Sequence, residues 1–379
     1  MKYVDEYRDG QIARAFAARI ADDVTPEIGY RFMEFCGGHT HTISRYGIAD
    51  LLPRNIRMIH GPGCPVCVLP MGRVDAAIRL SRRPEVTLCV YGDLMRVPGA
   101  QGMSLLKAKA AGADIRMVYA ALDVIRIAEA EPSREVVFFA IGFETTTPPT
   151  ALAVQNAAEK RLTNFSVFCN HVLTPPAIQA ILDSPEMCES GGMKLDGIIG
   201  PSHVSTIIGT EPYLPIAAAF RTPVVVAGFE PLDVMQAILM LVHQVNEQRH
   251  AVENQYIRVV TPGGNAKAQE AIADVFELRE TFEWRGLGTL SWSALRLKEA
   301  YGAFDAERRF DIGNTLGHDN PACECGAILR GIKTPAACKL FGTVCTPDTP
   351  MGSCMVSSEG ACAAHWAYGR FRDALKRAI

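Results

Sequence analysis

The chain lacks the features that mark nucleic-acid-binding, secreted and membrane-spanning proteins. Its 38 Lys and Arg are outnumbered by 41 Asp and Glu, so it has no basic excess of the kind that binding to phosphates requires. The first twenty residues are charged and amphipathic and contain no apolar core of a secretory signal. The longest apolar run, 237–242, is far shorter than the ~18 residues of a membrane span. We therefore expect a cytoplasmic protein that binds neither nucleic acid nor membrane.

Twelve cysteines in 379 residues are unusual for such a protein. Because the cytosol keeps thiols reduced, abundant cysteine there indicates metal binding or redox chemistry. Three isolated cysteines are expected to be small apolar residues without a chemical role: Cys89, Cys169 and Cys188. The other nine form two groups: Cys36, Cys64 and Cys67 near the start, and Cys323, Cys325, Cys338, Cys345, Cys354 and Cys362 in the tail.

Short Val- and Ile-rich runs alternate with helical patterns along most of the chain. The apolar runs are 86–91, 115–119, 136–141, 165–169, 197–199 and 223–227, and the helical segments include 104–111, 150–161, 176–182 and 232–249. This alternation predicts an α/β fold with parallel sheets. Two of the runs end in Gly-Phe-Glu, at 142–144 and 228–230, which suggests two similar halves.

We accordingly predict two similar α/β domains, over residues 1–125 and 126–260. Residues 261–379 should form a mixed region that begins with a helix and a strand pair and ends in a smaller iron–sulfur domain. The tail is rich in Cys, Gly and Pro, and such a segment needs a staple such as a metal cluster to fold.

Polar residues follow several of the predicted strands. His171, 202–203 and 144–147 each stand just after an apolar run. Ligands of parallel α/β sheets bind outside the carboxyl ends of the strands, so this placement predicts a cleft. The alternative is helix capping, which stabilises without any function, and for Glu230 capping is the favoured interpretation.

The N-terminal cysteines stand in two unusual segments. Cys64 and Cys67 form a Cys-x-x-Cys within HGPGCPVC, before a helical segment at 71–82. A helix N-terminus lowers a thiol pKa, which favours redox or catalytic metal chemistry over half of a structural zinc site. Cys36 is followed by two glycines, His39 and His41. It is a candidate nucleophile or metal ligand, and the two histidines are either site residues or polar loop residues.

The tail cysteines favour a [4Fe–4S] cluster. The successive intervals from Cys325 to Cys338, from Cys338 to Cys345 and from Cys345 to Cys362 contain 12, 6 and 16 residues. Structural zinc usually shows two closely spaced pairs instead, whereas four thiolates at varied spacing suit a cubane cluster. Cys323 remains an alternative to Cys325, and Cys354 is expected to be structural.

Taken together, these segments resemble the HypD family of [NiFe]-hydrogenase maturation factors over essentially the whole chain. The matching strings are EFCGGHTHTI (34–43), HGPGCPVC (60–67), GFETTTPPTA (142–151), NHV (170–172), GPSHVS (200–205) and the tail from 323 to 365. The resemblance implies a scaffold on which an iron atom receives cyanide and carbon monoxide ligands, for later transfer to the hydrogenase large subunit. It implies a small partner of the HypC type that supplies a thiolate. It also implies a HypE-like protein that delivers the cyano group as a thiocyanate made with HypF.

By the same resemblance, Cys36 would ligate the iron, and Cys64 and Cys67 would be a redox pair or further iron contacts. Four tail cysteines would hold the cluster. We add His39, His203 and Glu359 as polar groups expected at the cleft. Our hypothesis is an electron path from the cluster through the Cys64–Cys67 pair to the iron, which requires that pair to lie near both. The rival interpretations are an iron–sulfur-dependent disulfide oxidoreductase and a non-enzymatic iron carrier.

Overall fold

The computed structural model describes residues 4–188, 194–312, 317 and 320–370. The strands are β1 (Tyr30–Glu34), β2 (Ile56–His60), β3 (Val86–Val90), β4 (Ile115–Met117), β5 (Glu135–Gly142), β6 (Phe165–His171), β7 (Gly197–Gly200), β8 (Val224–Val226), β9 (Val252–Asn254), β10 (Phe276–Trp284) and β11 (Gly288–Leu297). The α-helices are α1 (Gly10–Asp23), α2 (Gly37–Tyr46), α3 (Ile48–Leu51), α4 (Pro65–Val68), α5 (Met71–Ser81), α6 (Leu105–Ala110), α7 (Ala121–Ala130), α8 (Thr147–Glu159), α9 (Thr174–Leu182), α10 (Pro185–Cys188), α11 (Ser202–Ile208), α12 (Leu214–Phe220), α13 (Pro231–Asn246), α14 (Ala266–Val275), α15 (Ala306–Arg309), α16 (Cys325–Leu329) and α17 (Ala361–Ala364).

Two parallel sheets form the framework, which confirms the predicted α/β class. Sheet A has the order β2-β1-β7-β8-β9, and sheet B has the order β4-β3-β5-β6. Every strand pairing within them is parallel. The two sheets therefore need crossover connections, and helices between the strands supply most of these.

The two sheets share one topology. Numbered within each sheet along the chain, the order is 2-1-3-4 in both, with β9 added to sheet A. This common order supports the idea of two similar halves. The repeated Gly-Phe-Glu does not mark equivalent places, because one copy follows β5, the third strand of sheet B, and the other follows β8, the fourth strand of sheet A.

The strands of the two sheets are interleaved in sequence. Sheet A takes β1 and β2 from the beginning of the chain and its other strands from residues after 196, and sheet B lies between them. Each sheet thus contains strands from both the 1–125 range and the 126–260 range. The chain consequently crosses between the sheets twice, after β2 and after β6.

The sheets are buried on both faces, which explains why their strands read as apolar runs. All residues of β3 and β6 are buried, as are all but the first residue of β5. Helix α13 packs its apolar face on sheet A together with α1. Helices α7 and α8 cover one face of sheet B.

The last part of the chain adds a hairpin and a segment with little regular structure. Strands β10 and β11 form the predicted antiparallel pair, and Trp284 at the end of β10 is fully buried. After residue 320, short helical turns dominate, and their apolar side chains join the same core as Cys64, Cys67 and β3. Among the described residues, no helix is both long and apolar enough to cross a membrane.

Candidate functional site

The site lies where the strand order of each sheet reverses. In sheet A this point is between β1 and β7, and in sheet B it is between β3 and β5. The loops after these strands diverge and leave a crevice, which is where parallel α/β sheets bind ligands. A cavity of about 360 Å³ lies at the sheet B crevice. It is lined by the ends of β3 and β5, by Pro65 and Val66 of the Cys-x-x-Cys segment, and by Ser357, Ser358 and Glu359 of the tail.

Cys36 lies two residues after the end of β1 and stands at the N-cap of α2. Its thiol is buried, with 6% of the residue exposed. The pKa of Cys36 is raised to about 12, chiefly by burial and in addition by the nearby carboxylates of Glu359 and Glu34. In the metal-free protein the thiol is therefore protonated, and a cation bound at the sulfur would be needed to favour the thiolate.

The loop that carries Cys64 packs directly on Cys36. Gly37 donates its N–H to the carbonyl of Gly63 at 3.0 Å. A Cβ atom on Gly63 would lie 2.5 Å from the Cα of Cys36, so only glycine permits this approach. The two cysteine segments, distant in sequence, are thereby brought side by side.

Cys64 and Cys67 are joined by a disulfide. Both are buried, at 3% and 0% exposure. On the side facing the tail, Gly360 leaves room for the Cys67 sulfur, since a Cβ there would lie 3.0 Å from it and would overlap the Cys354 carbonyl. Ser353 donates its hydroxyl to the Cys67 carbonyl at 2.9 Å. The pair thus lies between Cys36 on one side and the tail cysteine Cys354 on the other.

Glu359 reaches the site from the tail. Its side chain covers Gly37, where a Cβ would lie 2.7 Å from Glu359 Oε2, and it also lines the 360 Å³ cavity. Burial raises the pKa of the Glu359 carboxyl, and the nearby carboxylates of Asp93 and Glu34 raise it further. The predicted polar group at the cleft is therefore in contact with the Cys36 segment.

His39 and His203 flank one phenylalanine. His39 is fully buried, and its Nε2 donates towards the carbonyls of Ala227 and Gly228 at 3.1 and 3.0 Å. Burial lowers the pKa of His39. The ring of Phe229 lies 5.2 Å from that of His39 and 4.1 Å from that of His203. His39 therefore connects the loops after β1 and β8, whereas His203 is exposed at the surface of the crevice.

The tail thiols are gathered in one apolar cluster. Cys325 Sγ lies 3.2 Å from Cys323 Sγ, and hydrogen bonds from Cys323, Cys354 and Cys362 hold the pKa of Cys325 well below its usual range. Gly352 leaves room for the sulfurs, because a Cβ there would lie 2.5 Å from Cys323 Sγ. Cys338 and Cys345 adjoin this group.

This donor set fits an iron–sulfur cluster in its chemistry. It consists of soft thiols, buried except for the half-buried Cys323 and Cys338, and cysteine thiolates are the ligands that such clusters use. In the described ranges 4–188, 194–312 and 320–370, no three His, Cys, Asp or Glu side chains are arranged as a metal site. The thiols instead contact one another around Cys325. The predicted set of Cys325, Cys338, Cys345 and Cys362 stays a prediction, and Cys323 and Cys354 are further members of the same group.

Several other predicted positions are structural. Cys89 and Cys169 are buried within β3 and β6, as expected; the side chain of Cys188 lies outside the described part of the chain. His171 is buried and bonds Thr150 Oγ1 at 2.9 Å. Glu230 stands at the N-cap of α13 and pairs with Arg8. Glu144 is buried and accepts hydrogen bonds from the N–H and hydroxyl of Thr174 at the start of α9.

Two residues beside Cys36 were not predicted. Glu34 is fully buried at the end of β1, and His60 stands at the end of the neighbouring β2, with its Nδ1 2.9 Å from Glu34 Oε1. The sequence does carry a signal: each is the first residue of one of the two cysteine motifs quoted above. Without the pairing of β1 with β2, nothing connects the two.

The arrangement defines a class of protein. It is an α/β protein with two parallel sheets, whose crevice joins a buried thiol, a buried disulfide and a thiol-rich tail. Such a combination serves redox chemistry and the binding of soft metals.

The family follows from comparison with known proteins. The family model HypD, described as "Hydrogenase formation hypA family", matches residues 11–369, so the chain belongs to the HypD family of hydrogenase maturation factors. It is 70% identical to the hydrogenase maturation factor HypD of Rhizobium leguminosarum bv. viciae over 377 residues, which cover 100% of this chain and 98% of the relative. It is 62% identical to HypD of Azotobacter vinelandii, covering 99% of both chains. It is 47% identical to HypD of Escherichia coli K12, covering 97% of this chain and 98% of the relative. The family resemblance drawn from the sequence motifs is confirmed.

Proposed function

We propose that this protein is the scaffold on which an iron atom receives its cyanide and carbon monoxide ligands before transfer to a [NiFe]-hydrogenase large subunit. Cys36 is the iron ligand that the chain itself contributes. A HypC-like partner supplies a second thiolate, and a HypE-like donor, acting with HypF, presents the cyano group as a thiocyanate. The observation that carries the proposal is the contact of the Cys36 segment with both the disulfide loop and Glu359 at one crevice.

The Cys64–Cys67 pair balances the electrons of cyanide transfer. Breaking the S–C bond of a thiocyanate and leaving the carbon on iron as cyanide takes up two electrons and one proton, and releases a thiol. Oxidation of the Cys64 and Cys67 dithiol to the disulfide supplies two electrons and two protons. One proton is left over. Glu359, whose raised pKa makes the carboxyl a readier proton acceptor, lies beside Cys36 to exchange it.

The tail cysteines would hold a [4Fe–4S] cluster, with Cys325, Cys338, Cys345 and Cys362 as the expected ligands. When bound, such a cluster supplies electrons one at a time. The contact of Gly360 with both Cys67 and Cys354 supports a short path between the tail and the disulfide. Cys354 is accordingly the chain's own group between the two centres.

The rival activity, reduction of protein disulfides, is less well supported. Cys64 and Cys67 are 3% and 0% exposed, and a generic protein disulfide needs access to an attacking sulfur. A small thiocyanate presented by a partner protein requires only the crevice. A passive iron carrier would not need a dithiol beside its ligand.

The test is a Cys36→Ala variant, purified without oxygen together with the small partner. We expect the infrared bands of iron-bound cyanide and carbon monoxide to disappear while the visible absorbance of the cluster remains. Cys89→Ala is the matched control, because Cys89 is equally buried but lies within β3, and it should keep the bands. Retention of the bands in Cys36→Ala would refute the assignment, and disulfide reductase activity in that variant would favour the rival.

A further inference from the structure

A hydrogen-bonded pair of side chains, Glu34 and His60, joins the two cysteine segments where they leave the sheet. β1 and β2 pair in parallel, and the last matched positions of their register are Glu34 and His60. Neighbouring residues in register point to the same face of a sheet, so the two side chains meet. Cys36 follows two residues after Glu34, and Cys64 follows four residues after His60. The pair therefore stands where both cysteine loops leave the sheet.

The Glu34 carboxylate accepts three hydrogen bonds, from groups of both cysteine segments. Oε2 accepts the N–H of Cys36 at 2.9 Å, and Oε1 accepts the Thr40 hydroxyl and His60 Nδ1. Because a carboxylate only accepts, His60 carries its proton on Nδ1. The main chain of Glu34 takes part as well, since its carbonyl accepts the N–H of Gly61 at 2.9 Å.

We propose that Glu34 and His60 are positioning residues that hold Cys36 in register with the Cys64–Cys67 pair. The Glu34 carboxylate is 0% exposed, and burying a carboxylate is unfavourable unless its oxygens are fully hydrogen-bonded. His60 is one of its donors, and it belongs to the other loop. Its side chain is 21% exposed, and His60 lines the same small cavity as Lys333 and Thr334 of the tail. The orientation of Cys36 thus depends on a residue of the disulfide loop that also adjoins the thiol-rich segment.

The inference rests on the proposed function only for the role of Cys36, and its test begins on the metal-free full-length protein. Asparagine at position 60 can place an amide N–H where His60 Nδ1 stands, whereas glutamine carries its amide one bond further out. We expect His60→Gln to speed amide hydrogen exchange in the peptide 34–40 by ~10-fold, from loss of a charge-assisted hydrogen bond. His60→Asn should stay within about twofold of the parent.

Two controls separate local from general effects. Exchange in the β5 peptide 135–142 should not change in either variant. His243→Asn breaks a similar histidine–carboxylate contact at a partly exposed site, because His243 bonds Asp23 through Nε2 at 2.8 Å and the shorter asparagine amide does not reach that position. It should leave peptide 34–40 unchanged. Unaltered exchange in His60→Gln, or equal acceleration in His60→Asn, would overturn the proposal.

The functional readout follows on the complex with the small partner. His60→Gln should lower the infrared intensity of iron-bound carbon monoxide by ~10-fold or more, and His60→Asn should restore it. If Cys36→Ala keeps these bands while His60→Gln still loosens peptide 34–40, the proposed function fails but the positioning role stands. Full band intensity in His60→Gln would refute the role of the pair in iron binding.

Discussion

Replacing Gly63 with alanine should separate the two cysteine loops while leaving both cysteines in place. The added Cβ would lie 2.5 Å from the Cα of Cys36 and 2.5 Å from the carbonyl carbon of Phe35. These neighbours are main-chain atoms, so no side-chain rotation can relieve the overlap. The loops must move apart instead.

The size of the movement follows from the contact distances. Ordinary contact with a Cβ begins near 3.4 Å, so relief requires a separation of about 1 Å. Such overpacking typically costs about 1–3 kcal/mol of unfolding free energy, to which strain in the Gly37–Gly63 hydrogen bond adds up to about 1 kcal/mol. A displacement of about 1 Å between reacting groups typically costs about 100-fold in rate. A 100-fold loss of rate corresponds to about 2.7 kcal/mol, so the effect on ligand assembly should be comparable in free energy to the effect on folding.

Urea unfolding of the purified protein without oxygen measures the loss of unfolding free energy. The rate of ligand assembly is measured by following the infrared intensity of iron-bound cyanide and carbon monoxide over time in the assembled complex. Gly29→Ala is the matched control, because its Cβ would have no neighbour within 4 Å, and it should match the parent in both assays. If Gly63→Ala matches Gly29→Ala in stability and in band intensity, the close approach of the loops has no role.

Two further predictions concern buried charges. Burial raises the pKa of Glu144 to about 7 from an ordinary value of 4.5, so the folded state holds this proton to higher pH than the unfolded chain does. The free energy of unfolding should therefore fall by up to about 3 kcal/mol as pH rises from about 4.5 to 7. Glu144→Gln should flatten this fall in urea unfolding measured across that pH range, and an unchanged pH dependence would contradict the prediction. Burial alone would raise the pKa of Glu307, but the guanidiniums of Arg73 and Arg279 hold it at about 2. The ionised Glu307 therefore contributes to the free energy of unfolding above pH ~4.5, and this contribution is lost as the pH falls towards 2. Arg73→Ala should cost about 3–5 kcal/mol and move acid unfolding, followed by circular dichroism, to higher pH; Arg126→Ala, at an exposed pair, should change neither.

The sequence predicts the strands that are buried on both faces. The apolar runs at 86–91, 136–141 and 165–169 correspond to β3, β5 and β6. β1 and β2 were not predicted, because YRFME and IRMIH carry charged residues within them and give no continuous apolar run. These are the strands that position Cys36 and the disulfide loop.

The local sequence pattern does not predict that the strands of the two sheets are interleaved along the chain. β1 pairs with β7 across the whole of sheet B in sequence, and nothing in either strand's composition specifies the partner. A division at residue 125 follows naturally from reading the alternation of strands and helices in order. The pairing depends instead on which apolar faces meet, and so on tertiary packing.

For the site, the sequence predicts which residue types carry the chemistry but not which of them lie together. Unusual residue types at close spacing, such as Cys36 with its glycines and the Cys64–Cys67 pair, could be singled out from the sequence. The proposed chemistry requires Cys36 to lie near the Cys64–Cys67 pair, but no sequence pattern predicts this contact. It depends on the close approach of Gly63 to the Cys36 backbone. The sequence does not predict Glu34 and His60 as site residues, because each is an ordinary residue at a strand end. Only the register between β1 and β2 brings the two together.

The common 2-1-3-4 order gives each of the two sheets an opening of its own. Each sheet opens at its own point of reversal, after β1 and β7 or after β3 and β5. The segment from His60 to Val68 leaves β2 of sheet A and lines the crevice of sheet B with Pro65 and Val66. The disulfide therefore lies on the connection between the two sheets, with Cys36 at the opening of one and the cavity at the opening of the other. The same short loop, which carries Cys64 and Cys67, therefore contributes to both openings.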